Sequence, residues 1–170
     1  MTTQEKIREI LKFLLPILNG INVEYWVDCG TLLGIIREED ILEWDNDGDI
    51  SYLHSVEAYK ELTCHLFWVC DHSGQFVLKG ANRRPRVYYS SDLINEPWVD
   101  FYGWIDGEGS RYTSDEAGFL KNIWPYKSHI GQCKMVVWQD VETMVPEFPE
   151  QRLSQLYGKW AIPRKKVPYW

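Results

Sequence analysis

The fold turns on residues 25–51, "YWVDCGTLLGIIREEDILEWDNDGDIS". The closing octapeptide, Trp44 to Ser51, sets Asp45, Asp47 and Asp49 at alternating positions around Gly48. Charges of one sign packed this closely repel. The segment must therefore lie in water or meet a positive charge. Upstream, "VEYWV" at Val23 to Val27 reads as a strand from its β-branched and aromatic residues. Gly30-Thr31 then looks like a strand-to-helix turn, with Leu32, Leu33, Ile35 and Ile36 in a short buried helix. Asp49 to Leu53 reads as a second strand with the acidic cluster at its start. Residues i and i+2 of a strand share a face, so Asp47 and Asp49 point the same way. The backbone N–H groups of a helix start suit a phosphate. One segment thus offers a phosphate cradle at Gly30 and Thr31 and an acidic pair beside it.

A third carboxylate strengthens this reading. Asp100 stands between Val99 and Phe101 in the strand expected at Trp98 to Tyr102. A carboxylate in such a strand is costly unless something pairs it. If that strand lies beside the one carrying Asp49, three carboxylates converge, and oxygen ligands of this kind favour Mg²⁺ or Mn²⁺. Two other readings compete. An EF-hand loop with Gly48 at its sixth position puts Glu43 first and His54 twelfth, and neither suits its place. A solvated acidic turn would need no ligand at all. In "NRRPRVYY", Arg83, Arg84 and Arg86 suit a phosphate, or else blunt a strand edge together with Pro85. Trp26, Trp44 and Trp104 flank the site, either packing in the core or stacking on a base or sugar.

The remainder of the chain frames this segment. The length of 170 residues suits one domain over residues 1–170. Apolar and charged shares of 45% and 25% are ordinary for a soluble protein. A net charge of −7 argues against a nucleic-acid partner. It leaves room for a phosphorylated ligand, because metal ions carry positive charge. Ile7, Ile10, Leu11, Leu14, Leu15 and Leu18 recur at helical spacing behind a Thr2/Glu5 capping box. Pro16 is expected to kink that helix or end it a turn early. Helix is expected at Val56 to Cys64 and strands at Leu66 to Cys70, Phe76 to Lys79, Val87 to Tyr89 and Met135 to Val137. A closing helix in "PEQRLSQLYGKW" stops at Gly158. Ile105 to Gly118 has the composition of a mobile loop. Arg164, Lys165 and Lys166 read as a solvated basic tail. Cys64, Cys70 and His72, with His65, lie close in sequence without a strong zinc spacing, and the alternative is reduced cytosolic thiols. With no signal peptide and no membrane-spanning run, the expected location is cytoplasmic. The expected class is mixed α/β, of α+β type, a mixed sheet flanked by helices.

Taken together, "GTLLG" at Gly30 to Gly34, Arg37, "WDNDGD" at Trp44 to Asp49, and the tail "VPEFPEQRLSQLYGKWAIP" resemble the LicD/fukutin family of phosphotransferases. The resemblance spans about Ile7 to Pro163 and implies a nucleotidyltransferase-like fold. It implies that Gly30 and Thr31 contact phosphate, that Asp47, Asp49 and Asp100 bind two Mg²⁺ or Mn²⁺ ions and carry catalysis, and that Arg37 touches a diphosphate. It implies that Asp45 orients a metal-bound water from behind the pair. Arg84 and Arg86 are further donor-phosphate candidates. The implied reaction moves a substituted phosphate, such as phosphocholine or a polyol phosphate, from a CDP-linked donor to a sugar or glycan hydroxyl, releasing CMP. Asp100 would also accept the proton of the attacking hydroxyl. Nucleotide transfer with release of pyrophosphate, and a non-catalytic binding module of the same fold, are the alternatives. Two departures stand out. Glu38-Glu39-Asp40 replaces a basic stretch and would add negative charge near the donor, and Gly48 replaces an apolar residue.

Overall fold

The computed structural model describes residues 1–82, 84–89, 96–107, 110–113 and 132–163. Arg83, the Arg164-Lys165-Lys166 tail and half of the loop expected at Ile105 to Gly118 lie outside the described residues.

Helix α1, Thr3–Asn19, starts on the expected capping box: the Thr2 hydroxyl accepts from the Glu5 amide, and the Glu5 carboxylate accepts from the Thr2 amide. Pro16 does not end it. Ile7, Ile10, Leu11, Leu14, Leu15 and Leu18 are all buried on either side of the proline, and that burial outweighs one lost backbone bond. Strand β1, Tyr25–Val27, leads into α2, Cys29–Glu38. Strand β2, Asp47–Leu53, begins two residues earlier than expected and so includes Asp47.

Helix α3, Val56–Ser73, corrects one expectation. The strand foreseen at Leu66 to Cys70 is the continuation of the helix. Its buried residues, Leu62, Leu66 and Cys70, recur every fourth position, which is a helical stripe and not the period of two a strand requires. Ser55 caps the start, and Gly74, at φ 64°, ends it in the left-handed region. Strands β3, Val77–Lys79, and β4, Arg86–Tyr88, form the expected hairpin arms. Strand β5, Trp98–Gly107, runs past Tyr102 and pairs at its end with β6, Ser110–Thr113. The described part of the supposed loop is therefore strand. Strands β7, Cys133–Trp138, and β8, Val141–Pro146, form a separate hairpin, of which only Met135 to Val137 was legible. Its turn residues Gln139 and Asp140 take φ of 49° and 65° without the Asn-Gly signature that usually marks such turns. Helix α4, Pro149–Tyr157, closes at Gly158 as expected.

The main sheet has six strands in the order β1-β2-β5-β4-β3, with β6 added to β5. Strands β2 and β5 are parallel and the other pairs antiparallel, so the sheet is mixed, as expected. Alternation splits it into two faces. Ile50, Tyr52, Val87, Val99 and Phe101 join the buried residues of α1 in one apolar core. Asp47, Asp49, Ser51, Trp98, Asp100, Tyr102, Trp104, Trp26 and Arg86 take the other face by register. Gly48 falls on the core side. A Cβ there would sit 2.9 Å from Val99 Cγ2 and 3.4 Å from Ile7 Cγ2. Val99 of β5, with Ile7 of α1 behind it, must give way before the larger residue of the family pattern could fit.

Candidate active site

Strand register assembles the acidic residues. The parallel β2–β5 pair sets Asp49 opposite Asp100 and Asp47 opposite Trp98. The β4–β5 pair sets Arg86 opposite Asp100. Side chains in register share a face, so carboxylates from two strands and a guanidinium from a third meet. Asp100 is 2% exposed and fully engaged. Its Oδ1 accepts from Arg86 Nε at 2.6 Å and lies 3.2 Å from Arg84 Nε, while its Oδ2 accepts from Trp98 Nε1 at 2.8 Å. Each arginine also lies over a ring: Arg84 over Tyr102 and Arg86 over Trp98. For Asp100, at least, the positive charge demanded by the sequence is arginine.

The start of α2 serves Asp49. The Gly30 amide donates to Asp49 Oδ2 at 3.2 Å, and the Asp49 amide donates to Thr31 Oγ1 at 2.8 Å. Thr31 is buried, so its hydroxyl locks the acidic strand to the helix. A Cβ on Gly30 would overlap Asp45 Oδ2, so a side chain there would require the Asp45 carboxylate to move.

Beneath this turn lies a group the sequence reading missed. Asp28 caps α2 by accepting from the Cys29 amide at 2.9 Å. It also accepts from Ser51 Oγ at 3.0 Å and from Trp26 Nε1 at 3.3 Å. Arg152 of α4 grips it bidentately, with Nε 2.9 Å from Oδ1 and Nη2 2.8 Å from Oδ2. Both partners are sealed, at 0% and 1% exposure. The Arg152 guanidinium lies over Trp104, whose Nε1 donates to Ser51 Oγ at 2.9 Å. An aspartate just before a helix is a readable cap signal. Nothing local marks Arg152, which is 124 residues away in sequence.

The electrostatics are those of crowded carboxylates. Burial, then Asp47, pushes Asp45 up to about 7. Burial, then Asp100, pushes Asp47 up to about 6, against the pull of Arg86 and Arg84. Burial and the charges of Asp47, Asp45 and Asp100 hold Asp49 well above the ordinary carboxylate range. Asp28 goes the other way: burial would raise it, but Arg152 and its other donors outweigh that and leave it lowered. A raised carboxyl means the folded state binds more protons than the unfolded one, so stability is lost as pH rises through the folded value. Without added metal, the melting temperature should fall as pH climbs from about 4 to about 7. Asp45→Asn should flatten the upper part of that fall. A melting series that rises across this window would refute the assignment. The Asp28 contribution is lost only at lower pH.

Other expected site residues lie elsewhere. Arg37 is not brought to the carboxylates. It sits at the last turn of α2, about 10 Å along the axis from Gly30. There Nε donates to Glu38 Oε1 at 2.8 Å, Nη1 donates to the Trp160 carbonyl at 3.1 Å, and the guanidinium lies 5.7 Å from the Trp44 ring. The Glu38-Glu39-Asp40 run shares that far end, so it does not crowd a donor at Gly30. Asp40 is bound bidentately by Arg8, Glu38 pairs with Arg37, and Glu39 is the left-handed cap of α2. The zinc candidates disperse along α3. Cys64 is exposed, Cys70 is buried, and His65 and His72 bond to helix carbonyls one turn back.

Among the described residues, no three histidine, cysteine, aspartate or glutamate side chains are gathered to hold a metal ion as they stand. Asp100 is turned to its arginines. The donor chemistry still suits a hard dication. The donors are all oxygen, their mutual repulsion would be relieved by a cation, and the buried Asp45 Oδ2 makes no hydrogen bond.

The model of the LicD/FKTN/FKRP nucleotidyltransferase domain matches residues 22–148, most of the chain and the whole of this site except Arg152. The chain belongs to this family. Human ribitol 5-phosphate transferase FKRP is 26% identical over 152 residues, covering 88% of this chain and 26% of FKRP. An uncharacterised protein of Rickettsia typhi is 35% identical over 152 residues, covering 89% of this chain and 45% of that protein. The chain therefore spans about a quarter to a half of the length of these relatives. Among solved structures, a lincomycin-bound lincosamide adenylyltransferase, LnuA, aligns with 14% identity and a TM-score of 0.48, covering 88% of this chain and 84% of LnuA. No helix among the described residues of this LicD-family chain is long and apolar enough to cross a membrane.

Proposed function

We propose that this chain is a metal-dependent transferase working in the cytoplasm. It moves a substituted phosphate, of the phosphocholine or polyol-phosphate kind, from a CDP-linked donor to a sugar or glycan hydroxyl. The observation that carries the reading is the β2–β5 register, which sets Asp49 beside Asp100 on the face that holds Asp47 and the Arg86 guanidinium. Membership of a family that includes a ribitol 5-phosphate transferase supports the substrate class.

In this reading the acceptor hydroxyl passes its proton to Asp100 as its oxygen forms a bond to the phosphorus that carries the substituent. The bond from that phosphorus to the CMP oxygen breaks, and CMP leaves with the electron pair. Arg84 and Arg86 bind donor phosphate oxygens, for which a guanidinium fork is well shaped. Asp47, Asp49 and Asp100 would hold Mg²⁺ or Mn²⁺, which when bound neutralises the diphosphate and acidifies a coordinated hydroxyl. Thr31 and Gly30 keep Asp49 aimed at the site.

The test is product analysis with a panel of CDP-linked donors, a sugar acceptor and Mg²⁺ or Mn²⁺. Metal-dependent CMP release is expected. Pyrophosphate release from a nucleoside triphosphate would replace this reading with nucleotide transfer. Metal binding with no turnover on any donor would point to a binding module.

A further inference from the structure

Both oxygens of Asp100 are taken by protein donors: Oδ1 by Arg86 and Arg84, Oδ2 by Trp98. A cation can reach this carboxylate only if at least one donor gives way. The two candidates differ in freedom. Trp98 donates through a rigid indole two residues from Asp100 on the same strand, whereas both arginines reach it with the heads of long, jointed side chains. The arginine side chains are 30% and 34% exposed and stand over the rings of Tyr102 and Trp98, against 3% exposure for Asp100. They can leave without opening the sheet. A diphosphate carries more negative charge than one carboxylate and offers several oxygens in guanidinium geometry, so it outbids Asp100 for them.

We propose that Arg84 and Arg86 form a donor-released lock on Asp100. They hold its carboxylate away from a divalent cation until a diphosphate draws them off, so that donor and cation enter together. This rests on the metal-dependent reading above. Arg84 and Arg86 then act twice. They compensate a buried charge while no donor is bound, and they recognise phosphate when one is. Linkage makes the effect reciprocal: whatever loosens the arginines from Asp100 strengthens cation binding, and the cation weakens their hold in turn. The lock also weakens occupation of the site by cation alone.

The experiment has two arms. In the first, Mn²⁺ is titrated into the parent protein and into Arg86→Gln, each without any phosphate compound, and free Mn²⁺ is followed by its electron paramagnetic resonance signal. Arg86→Gln should bind Mn²⁺ about 10-fold more tightly. A residue that served only the fold would leave affinity equal or lower it. In the second, pyrophosphate is added to the parent protein in the presence of a chelator, and arginine Nε–H resonances are followed by ¹⁵N NMR. The signals of Arg84 and Arg86 should shift. Equal or weaker Mn²⁺ binding by the variant would overturn the lock and leave the metal reading in place. No Mn²⁺ binding by either folded protein would overturn both. Unmoved arginine signals would overturn the lock whatever becomes of the variant's fold.

Discussion

Arg152→Ala should destabilise the protein by about 3–5 kcal/mol, a change that lowers its melting temperature by roughly 10 °C. The reason is what it leaves behind. Asp28 and Arg152 are completely buried and joined by two hydrogen bonds. Removing the guanidinium strands a carboxylate at 0% exposure with only Ser51, Trp26 and the Cys29 amide as donors. Burial then pushes that carboxyl up where Arg152 had held it down. The deficit should therefore shrink at low pH, where protonation relieves the stranded charge. Pairing Arg152→Met with Asp28→Asn removes both charges, keeps the apolar bulk and keeps a side chain able to cap α2. That double variant should recover part of the loss. Thermal melts of the two variants across pH decide the matter. A loss under about 1 kcal/mol for Arg152→Ala would mean the pair is not the sealed unit described.

Asp49→Asn should lower transferase activity by roughly 10³-fold or more while raising stability. The two effects share one cause. Asp49 is buried against Asp47, Asp45 and Asp100, so its charge is opposed by every near neighbour of its own kind. The amide is nearly isosteric and can still accept from the Gly30 amide, which now bonds Oδ2 at 3.2 Å. The fold loses repulsion and keeps its hydrogen bond. In the proposed reaction the site would lose a charged metal ligand and the field that charge supplies. Sites selected for charge concentration trade stability for function in this way. Initial rates of CMP release and melts at pH 8 without metal test both halves. Activity within 10-fold of the parent would remove Asp49 from the metal set, and a lowered melting temperature would refute the repulsion argument.

Legibility followed the range of the interaction. Period-two alternation exposed Asp47 and Asp49 as one face, the capping box exposed the start of α1, and Gly158 exposed the end of α4. These signals lie within a few residues of what they determine. The α3 error arose where apolar residues were dense enough to suit two periods, and burial of Leu62, Leu66 and Cys70 chose the helical one. The β7–β8 hairpin stayed half-hidden because its turn takes positive φ without glycine or asparagine.

By itself the sequence determined the inventory: an acidic strand, a small-residue helix start, a lone aspartate among apolar neighbours and arginines ahead of it. Only the tertiary structure decided the partners. Parallel pairing of β2 with β5 placed Asp100 beside Asp49, β4 brought Arg86 to the same carboxylate, and α4 drove Arg152 under the helix turn. It also carried Arg37 and the Glu38-Glu39-Asp40 run to the far end of α2. The physical reason is that charge pairing in a dry interior is set by distance through space. A chain records distance along itself, and for residues 124 apart the two are unrelated until the sheet closes.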